Sequence, residues 1–474
     1  MMRRLVCMLG VLLALSVPAR AHVGSNDVYQ TVHAGPYQLF VTVRPPLVLP
    51  GVATVEVRAA GVRSVGVAPA VMGYKQDFAL PLDTMVRSAA DPDFYTGTVW
   101  LMVPGSWEVR LQVQGEHGTQ TAAVAVPAQA LGIQQMQRPL GTMLAVVGLL
   151  LLGCMVALVV AAARQAHQPP GADAATRLPR AALLSTVAIM LVAVVVAARW
   201  WAASATLHAA TIFHPTPVTV RLAGNALDLV ATPQADNLGR VRAIDDLLAD
   251  HGQFIHLYAI RMPGMDAAFH LHPQMVGPGQ FRMALPAMAA GHYALYGDVV
   301  HTTGLPETLV AGVDVPAGMP AAPLAALDAA AAPPPLSAGV LDDTYRLPTG
   351  YTMHWQRPAQ INANRAYLLA FHLRAPDGTP ATAMQPYLGM AGHAAFVKTD
   401  GSVFAHTHPD GTAAMPAMEL AARSVGSEME MPQTVTPDVT FPYGFPSAGR
   451  YRIFIQMQHA GTVETGVFDA EVQP

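Results

Sequence analysis

Two short stretches, Phe269-His270-Leu271-His272-Pro273 and Phe404-Ala405-His406-Thr407-His408-Pro409, decide the fold. In each, two histidines stand two residues apart, so on a strand both side chains project from one face. His256-Leu-Tyr-Ala-Ile precedes the first stretch and His393-Ala-Ala-Phe-Val the second. Ala290-Gly291-His292-Tyr293, His301 and Glu307 follow the first, and Ala448-Gly449-Arg450-Tyr451, His459 and Glu464 follow the second. Order and strand phase agree, and the separation from His256 to His270 matches that from His393 to His406 to within one residue. The pattern reads as an internal duplication of a β domain.

Working outward, the Ala/Pro-rich stretch from Pro316 to Pro335 reads as a linker. It predicts a first repeat over 208–315, a linker over 316–340 and a second repeat over 341–474. Residues 22–130 also carry period-two segments, such as Gln38 to Val43, Val52 to Val57 and Trp107 to Val113, punctuated by Gly and Pro. The expected fold is mainly β: three immunoglobulin-like β-sandwich domains plus two transmembrane α-helices.

The helices are expected at 140–163 and 181–203, because Leu140 to Ala163 and Ala181 to Ala198 are uncharged apolar runs, the second extended by Trp200 and Trp201. Each run is long enough to cross about 30 Å of hydrocarbon as a helix. Neither contains an ionisable residue, so they read as anchors and not as a transport path. The 164–180 loop carries Arg164, Arg177 and Arg180 against Asp173, which places it in the cytoplasm. Met1 to Ala21 has Arg3 and Arg4, an apolar centre and an Ala19-Arg20-Ala21 exit, the layout of a signal peptide over 1–21. The expected location is the bacterial inner membrane, with residues 22–138 and 204–474 in the periplasm and the lipid bilayer as the first partner.

Composition agrees with this. Charged residues are 12% and hydrophobic ones 52% of the 474, where soluble domains have about a quarter charged. The net charge of −4, with no Lys/Arg cluster, excludes nucleic-acid binding, which needs a basic face. The only cysteines, Cys7 and Cys154, lie in apolar runs, so the external domains have no disulfide or thiolate ligand.

Histidine carries the chemistry. His256 is in phase with Tyr258 and Ile260, His301 with Tyr293, Leu295 and Val299, and His459 with Tyr451, Ile453, Ile455 and Met457. The sequence thus predicts two metal sites, His256, His270, His272 and His301 in one repeat and His393, His406, His408 and His459 in the other. Neutral imidazole suits copper, zinc or nickel, and a compartment without thiols leaves histidine and methionine to bind them. Copper is the leading candidate, with Met262, Met265, Met415, Met418, Met429 and Met431 as soft donors or ordinary core filler. His22, made N-terminal by signal cleavage, would offer amine and ring nitrogen to one metal. The alternative is a scaffold whose histidines bond to backbone or to carboxylates such as Glu307 and Glu464. His208, His214, His354 and His372 read as structural or surface residues.

Enzyme readings find little support. His406-Thr407-His408-Pro409-Asp410 approaches the His-x-His-x-Asp-His motif of metallo-β-lactamase-type hydrolases, but Gly411 stands where the last histidine belongs. Gly264 followed by His270-x-His272 resembles the first cupin motif without its glutamate, leaving a cupin-like metal enzyme as a minor alternative. No Gly-rich phosphate loop leads into a helix and no Gly-x-Ser-x-Gly elbow occurs, so a non-enzymatic protein is expected.

The start Ala21-His-Val-Gly-Ser25 and the segment Ala34-Gly-Pro-Tyr37 resemble a group of bacterial two-span envelope proteins with histidine-rich domains. Tyr387-Leu-Gly-Met-Ala-Gly-His393 and His406-Thr-His-Pro409 are similar to the small β-sandwich domains called YtkA-like or FixH-like. That resemblance implies a setting beside envelope metal-transport or oxidase-assembly proteins.

Overall fold

The computed structural model describes residues 25–73, 81–134, 136–166, 171, 180–209, 211–233, 244–429 and 434–474. The expected signal peptide, His22 and most of the 164–180 loop lie outside them. The chain divides into two compact units: Ala130–Ile212 contains two long helices, and the other unit contains the β structure on either side.

The helices, Arg138–Ala166 and Arg180–Ala209, have 29 and 30 residues. At 1.5 Å per residue each is about 45 Å long, more than a hydrocarbon core requires. Both are long and apolar enough to cross a membrane.

Among the described residues the β unit contains six sheets in three sequential pairs. The first pair has Val28–Ala34, Tyr37–Arg44, Gly51–Arg58, Phe94–Leu101 and Val86–Arg87 in one sheet, and Asp83–Thr84, Val62–Val71, Gly105–Gly115 and Gly118–Ala128 in the other. Period-two patterning explains these strands: Ala53, Val55 and Val57 are buried, whereas Val52 and Thr54, which alternate with them, are exposed.

In the second pair, Gly291–His301 bonds to Leu247–Leu248, His256–Met262 and Pro306–Val315, and His256–Met262 bonds onward to Ala268–Leu271. In the third, Gly449–His459 bonds in the same way to Met384–Gln385, His393–Lys398 and Thr462–Val472, and His393–Lys398 to Phe404–Thr407. Equivalent strands thus follow in the same order with the same pairing, as the repeated sequence predicts. The halves differ at their sheet edges: the second repeat adds a strand, Thr344–Arg346, beside Thr352–Gln356, and two further differences lie near the histidines. The stretch expected as a linker supplies a strand, Ala329–Ala331, to the edge at Ala268–Leu271. After the second histidine pair, a helix, Met415–Ser424, stands where the first repeat has the strand Gln274–Gly277, and it buries Met415 and Met418.

These two histidine-bearing sheets are covered on both faces. One face of each packs into its own core: Leu257, Ala259 and Leu295 in the first repeat, Ala394, Phe396 and Ile453 in the second. The opposite faces pack against each other, joining Tyr258, Ile260, Ala268 and Tyr296 to Ala395, Val397, Phe404, Phe454 and Val467. Tyr296 and Phe404 stack with ring centroids 4.5 Å apart, a contact worth about 0.5–1.5 kcal/mol beyond its buried area. Double coverage explains why the strand core reads as near-continuous apolar sequence.

Candidate metal centre

The face between the repeats gathers six of the eight histidines expected as ligands, and one more. Register sets this: His270 is opposite Tyr258 and His406 opposite Ala395, both residues of the shared face. His256, at the head of its strand, has the parity of Tyr258, and His393 that of Ala395. The two expected sites are therefore one, built from both repeats.

Four rings form its centre. The six centroid separations among His256, His270, His393 and His406 lie between 5.2 and 6.3 Å. His256 Nδ1 is 3.1 Å from His270 Nε2, and His393 Nδ1 is 3.0 Å from His406 Nε2. Nitrogens about 2.0–2.1 Å from a tetrahedral ion lie about 3.3–3.4 Å from one another, close to these two separations, and one ligand nitrogen each from His256, His270 and His406 lie within 4.8 Å of one another.

The outer nitrogen of each ring shows what the inner one presents. His256 Nε2 donates to the Asp250 carbonyl at 3.1 Å, and His393 Nε2 to the Tyr387 carbonyl at 3.2 Å. His270 Nδ1 donates to Gln456 Oε1 at 2.8 Å. Tyr387 spends its own hydroxyl proton on the Leu327 carbonyl, so it cannot donate to that ring. His406 Nδ1 is 3.5 Å from Asp298 Oδ2. With their protons committed outward, His256, His270 and His393 turn lone pairs toward the middle, whereas the 3.5 Å contact of His406 with Asp298 fixes no tautomer; a cation placed there would accept these lone pairs. The second repeat's Gln456 orients the first repeat's His270, and the first repeat's Asp298 lies against the second repeat's His406. Each is opposite its own repeat's first histidine, Asp298 opposite His256 and Gln456 opposite His393. Such outer partners fix ring orientation in metal sites.

Electrostatics keep these rings neutral. Burial first, and the crowding of other imidazoles second, hold His256, His270, His393 and His406 well below the ordinary histidine range. Burial likewise pushes the Asp298 carboxyl up to about 7.

Three further rings adjoin the centre. His272 is held by Asp328 at 2.9 Å through Nδ1, with its ring 4.6 Å from His270. His408 is 4.8 Å from His406 and 4.9 Å from His393. His251, which the sequence reading missed, is 5.3 Å from both His393 and His408. It occupies a tight turn, Asp250-His251-Gly252-Gln253, closed by two backbone bonds and with positive φ at both central residues. Tyr387-Leu388-Gly389-Met390 forms the same turn six residues before His393. The shared Gly-x-x-x-His spacing, Gly252 to His256 and Gly389 to His393, was the available signal.

The structure places His301 and His459 elsewhere, which corrects the expectation that they complete the sites. Their parity is that of Leu295 and Ile455, toward each repeat's own core. His301 bonds to Asp246 at 2.7 Å and Glu307 at 3.3 Å, and His459 to Glu464 at 3.0 Å. Burial works to lower His301, but those two carboxylates raise it overall. His354 and His372 stack on each other at 6.3 Å, away from the centre. Gly411, where a metallo-β-lactamase motif needs histidine, has φ +147°, and a Cβ there would fall 2.4 Å from the Tyr29 carbonyl oxygen. The close approach of the strand Val28–Ala34 therefore excludes any side chain at that position.

Residues 346–474 match a family described as "Domain of unknown function (DUF8832)". No curated protein matches the sequence. Among solved structures, Escherichia coli alpha-2-macroglobulin activated by porcine elastase is similar at 9% identity and a TM-score of 0.19, covering 92% of this chain and 31% of its own. Dimeric latent PorU from Porphyromonas gingivalis aligns at 8% identity and a TM-score of 0.15, over 95% of this chain and 34% of its own. A membrane-anchored protein from Corynebacterium diphtheriae aligns at 7% identity and a TM-score of 0.15, over 94% and 96%. The chain thus spans about a third of the first two structures, and the family match is confined to its second repeat.

Proposed function

We propose that this chain is a membrane-anchored metal-binding protein of the bacterial envelope, holding a late transition-metal ion between its two repeats. In this reading a signal peptide and two spanning helices place three immunoglobulin-like sandwiches in the periplasm. The domains serve in copper buffering, delivery or resistance, beside the envelope metal-transport or oxidase-assembly proteins that the likeness to YtkA-like and FixH-like domains implies. The observation that carries it is the convergence of four imidazoles, His256, His270, His393 and His406, three of them held from behind by hydrogen bonds that leave a lone pair facing the middle. All-imidazole donors suit copper, and zinc accepts the same geometry. Four protein donors fill a tetrahedron, which favours holding an ion over catalysis, since catalytic sites keep a position open.

The test is equilibrium dialysis of the full chain in detergent against cupric ion, with metal analysis and competition by a chromophoric chelator. Stoichiometric copper is expected in the parent. Changing His270 and His406 to alanine should weaken binding more than about 100-fold, beyond the 10–100-fold typical of outer-partner losses. A parent that takes up no stoichiometric ion would defeat the reading and leave an envelope scaffold.

A further inference from the structure

Beside the four-histidine centre lies a cavity of about 150 Å³, lined by Asp27, Asp250, Asp298, Glu307, His406 and His408 among others. At roughly 30 Å³ per water, it has room for an ion with much of its hydration shell. Its acidic lining favours a cation.

Two of these lining residues, Asp250 and His408, together with His251, carry polar atoms that the fold leaves unused. His251 Nε2, both ring nitrogens of His408 and Asp250 Oδ1 are buried with no hydrogen-bond partner among the described residues. The Ala413 carbonyl comes near His408 without hydrogen-bond geometry. Buried polar groups are nearly always paired, and four orphans in one place require an explanation. These four are also close together. One ligand nitrogen each from His251, His393 and His408 lie within 4.8 Å of one another, and Asp250 Oδ1 is 3.4 Å from His251 Nε2. His393 is common to both groups, its Nδ1 lying 3.0 Å from His406 Nε2.

We propose that His251, His408 and the Asp250 carboxylate form a second cation site, which takes the same late transition ion from the cavity before it reaches the four-histidine centre. This rests on the reading of that centre as a metal site. Two imidazoles and a carboxylate leave coordination positions for water, as an ion arriving hydrated requires, whereas the centre beyond offers four imidazoles. The duplication supplies an internal comparison: Leu388 stands in the second repeat where His251 stands in the first. The second site is therefore a one-sided addition to an otherwise two-fold arrangement.

Copper stoichiometry tests it, measured on the full chain in detergent by metal analysis after dialysis against cupric ion. The parent is expected to bind two ions, and the double variant His251→Leu/His408→Gln one, with the tighter affinity unchanged to within about threefold. His251→Leu uses the residue that the other repeat accommodates in the same turn. Asp250→Asn is an independent second variant that retains an oxygen for the Met415 amide, and it should lower the weaker affinity at least tenfold. A parent that binds a single ion, or a double variant that still binds two, would overturn the second site while leaving the first. A parent that binds none would overturn both.

Discussion

The two ends of the interface between the repeats are built to opposite rules. Both flank the same apolar middle of Tyr258, Ile260, Ala395, Val397 and Phe454. At one end, Arg452 is fully buried and wholly satisfied: it pairs with Asp469 at 2.8 and 3.0 Å and donates to the Met265 and Pro334 carbonyls of the other half. Burial works to raise the Asp469 carboxyl, but Arg452 and Arg450 hold it below its ordinary range. At the other end, seven buried or nearly buried imidazoles meet, several with nitrogens that no protein group satisfies. A polar cluster costs stability unless it is paired. At the first end the Arg452–Asp469 pair is satisfied by protein atoms, and under the proposed function a cation would complete the second.

The largest effect should come from breaking the complete end. Asp469→Ala leaves Arg452 charged and buried without its partner, and removing one member of a buried pair costs about 3–5 kcal/mol. Thermal melting in detergent should show a similar loss with and without copper, because the pair is remote from the ion. A loss confined to the copper-loaded protein would mean that the two ends are one system and would undo the comparison.

A smaller effect should follow from loosening the incomplete end without touching a ligand. Gln456→Leu removes the acceptor that orients His270, and such outer partners are worth about 10–100-fold in metal affinity. His301→Gln, on the opposite face of the first repeat's sheet, should leave affinity within about threefold. It should destabilise the fold by about 1–3 kcal/mol through loss of its carboxylate bonds. Equal copper affinities for these two variants would show that the face a histidine occupies does not decide its role.

Much of this was legible in the sequence and some was not, for identifiable reasons. The duplication and the paired histidines were readable because strand parity and repeat spacing are local properties. The union of the two histidine sets was not, because it depends on which faces of the repeats pack together, and both faces of His256–Met262 are buried. The same double burial misled the reading of His301 and His459: an apolar phase identifies a buried face but not which of two. Their neighbours Glu307 and Glu464, close in sequence and able to saturate an imidazole, marked them as structural. His251 was missed because the matched pattern starts at His256 and His393, one turn too late, and because the equivalent turn position in the second repeat is Leu388.

The smallest effect is in the pH dependence, where the two classes of histidine act in opposite directions. The centre's rings stay neutral in the fold, so below an unfolded pKa of about 6.5 the unfolded chain takes up protons that they do not, and stability falls on acidification. His301 is the reverse: its raised pKa contributes stability that is complete below about pH 6.5 and lost as pH rises through the folded value. Asp250 and Asp298, pushed by burial up to about 7, also bind protons in the fold and oppose the rings, so the total slope mixes both signs. Subtracting one variant from the parent isolates one term. The melting-temperature gap between the parent and His301→Gln, measured without copper, should be wider at pH 5.5 than at pH 8.5. A gap that narrows on acidification would mean that His301 is neutral between its carboxylates, and the contrast between the faces would then rest on geometry alone.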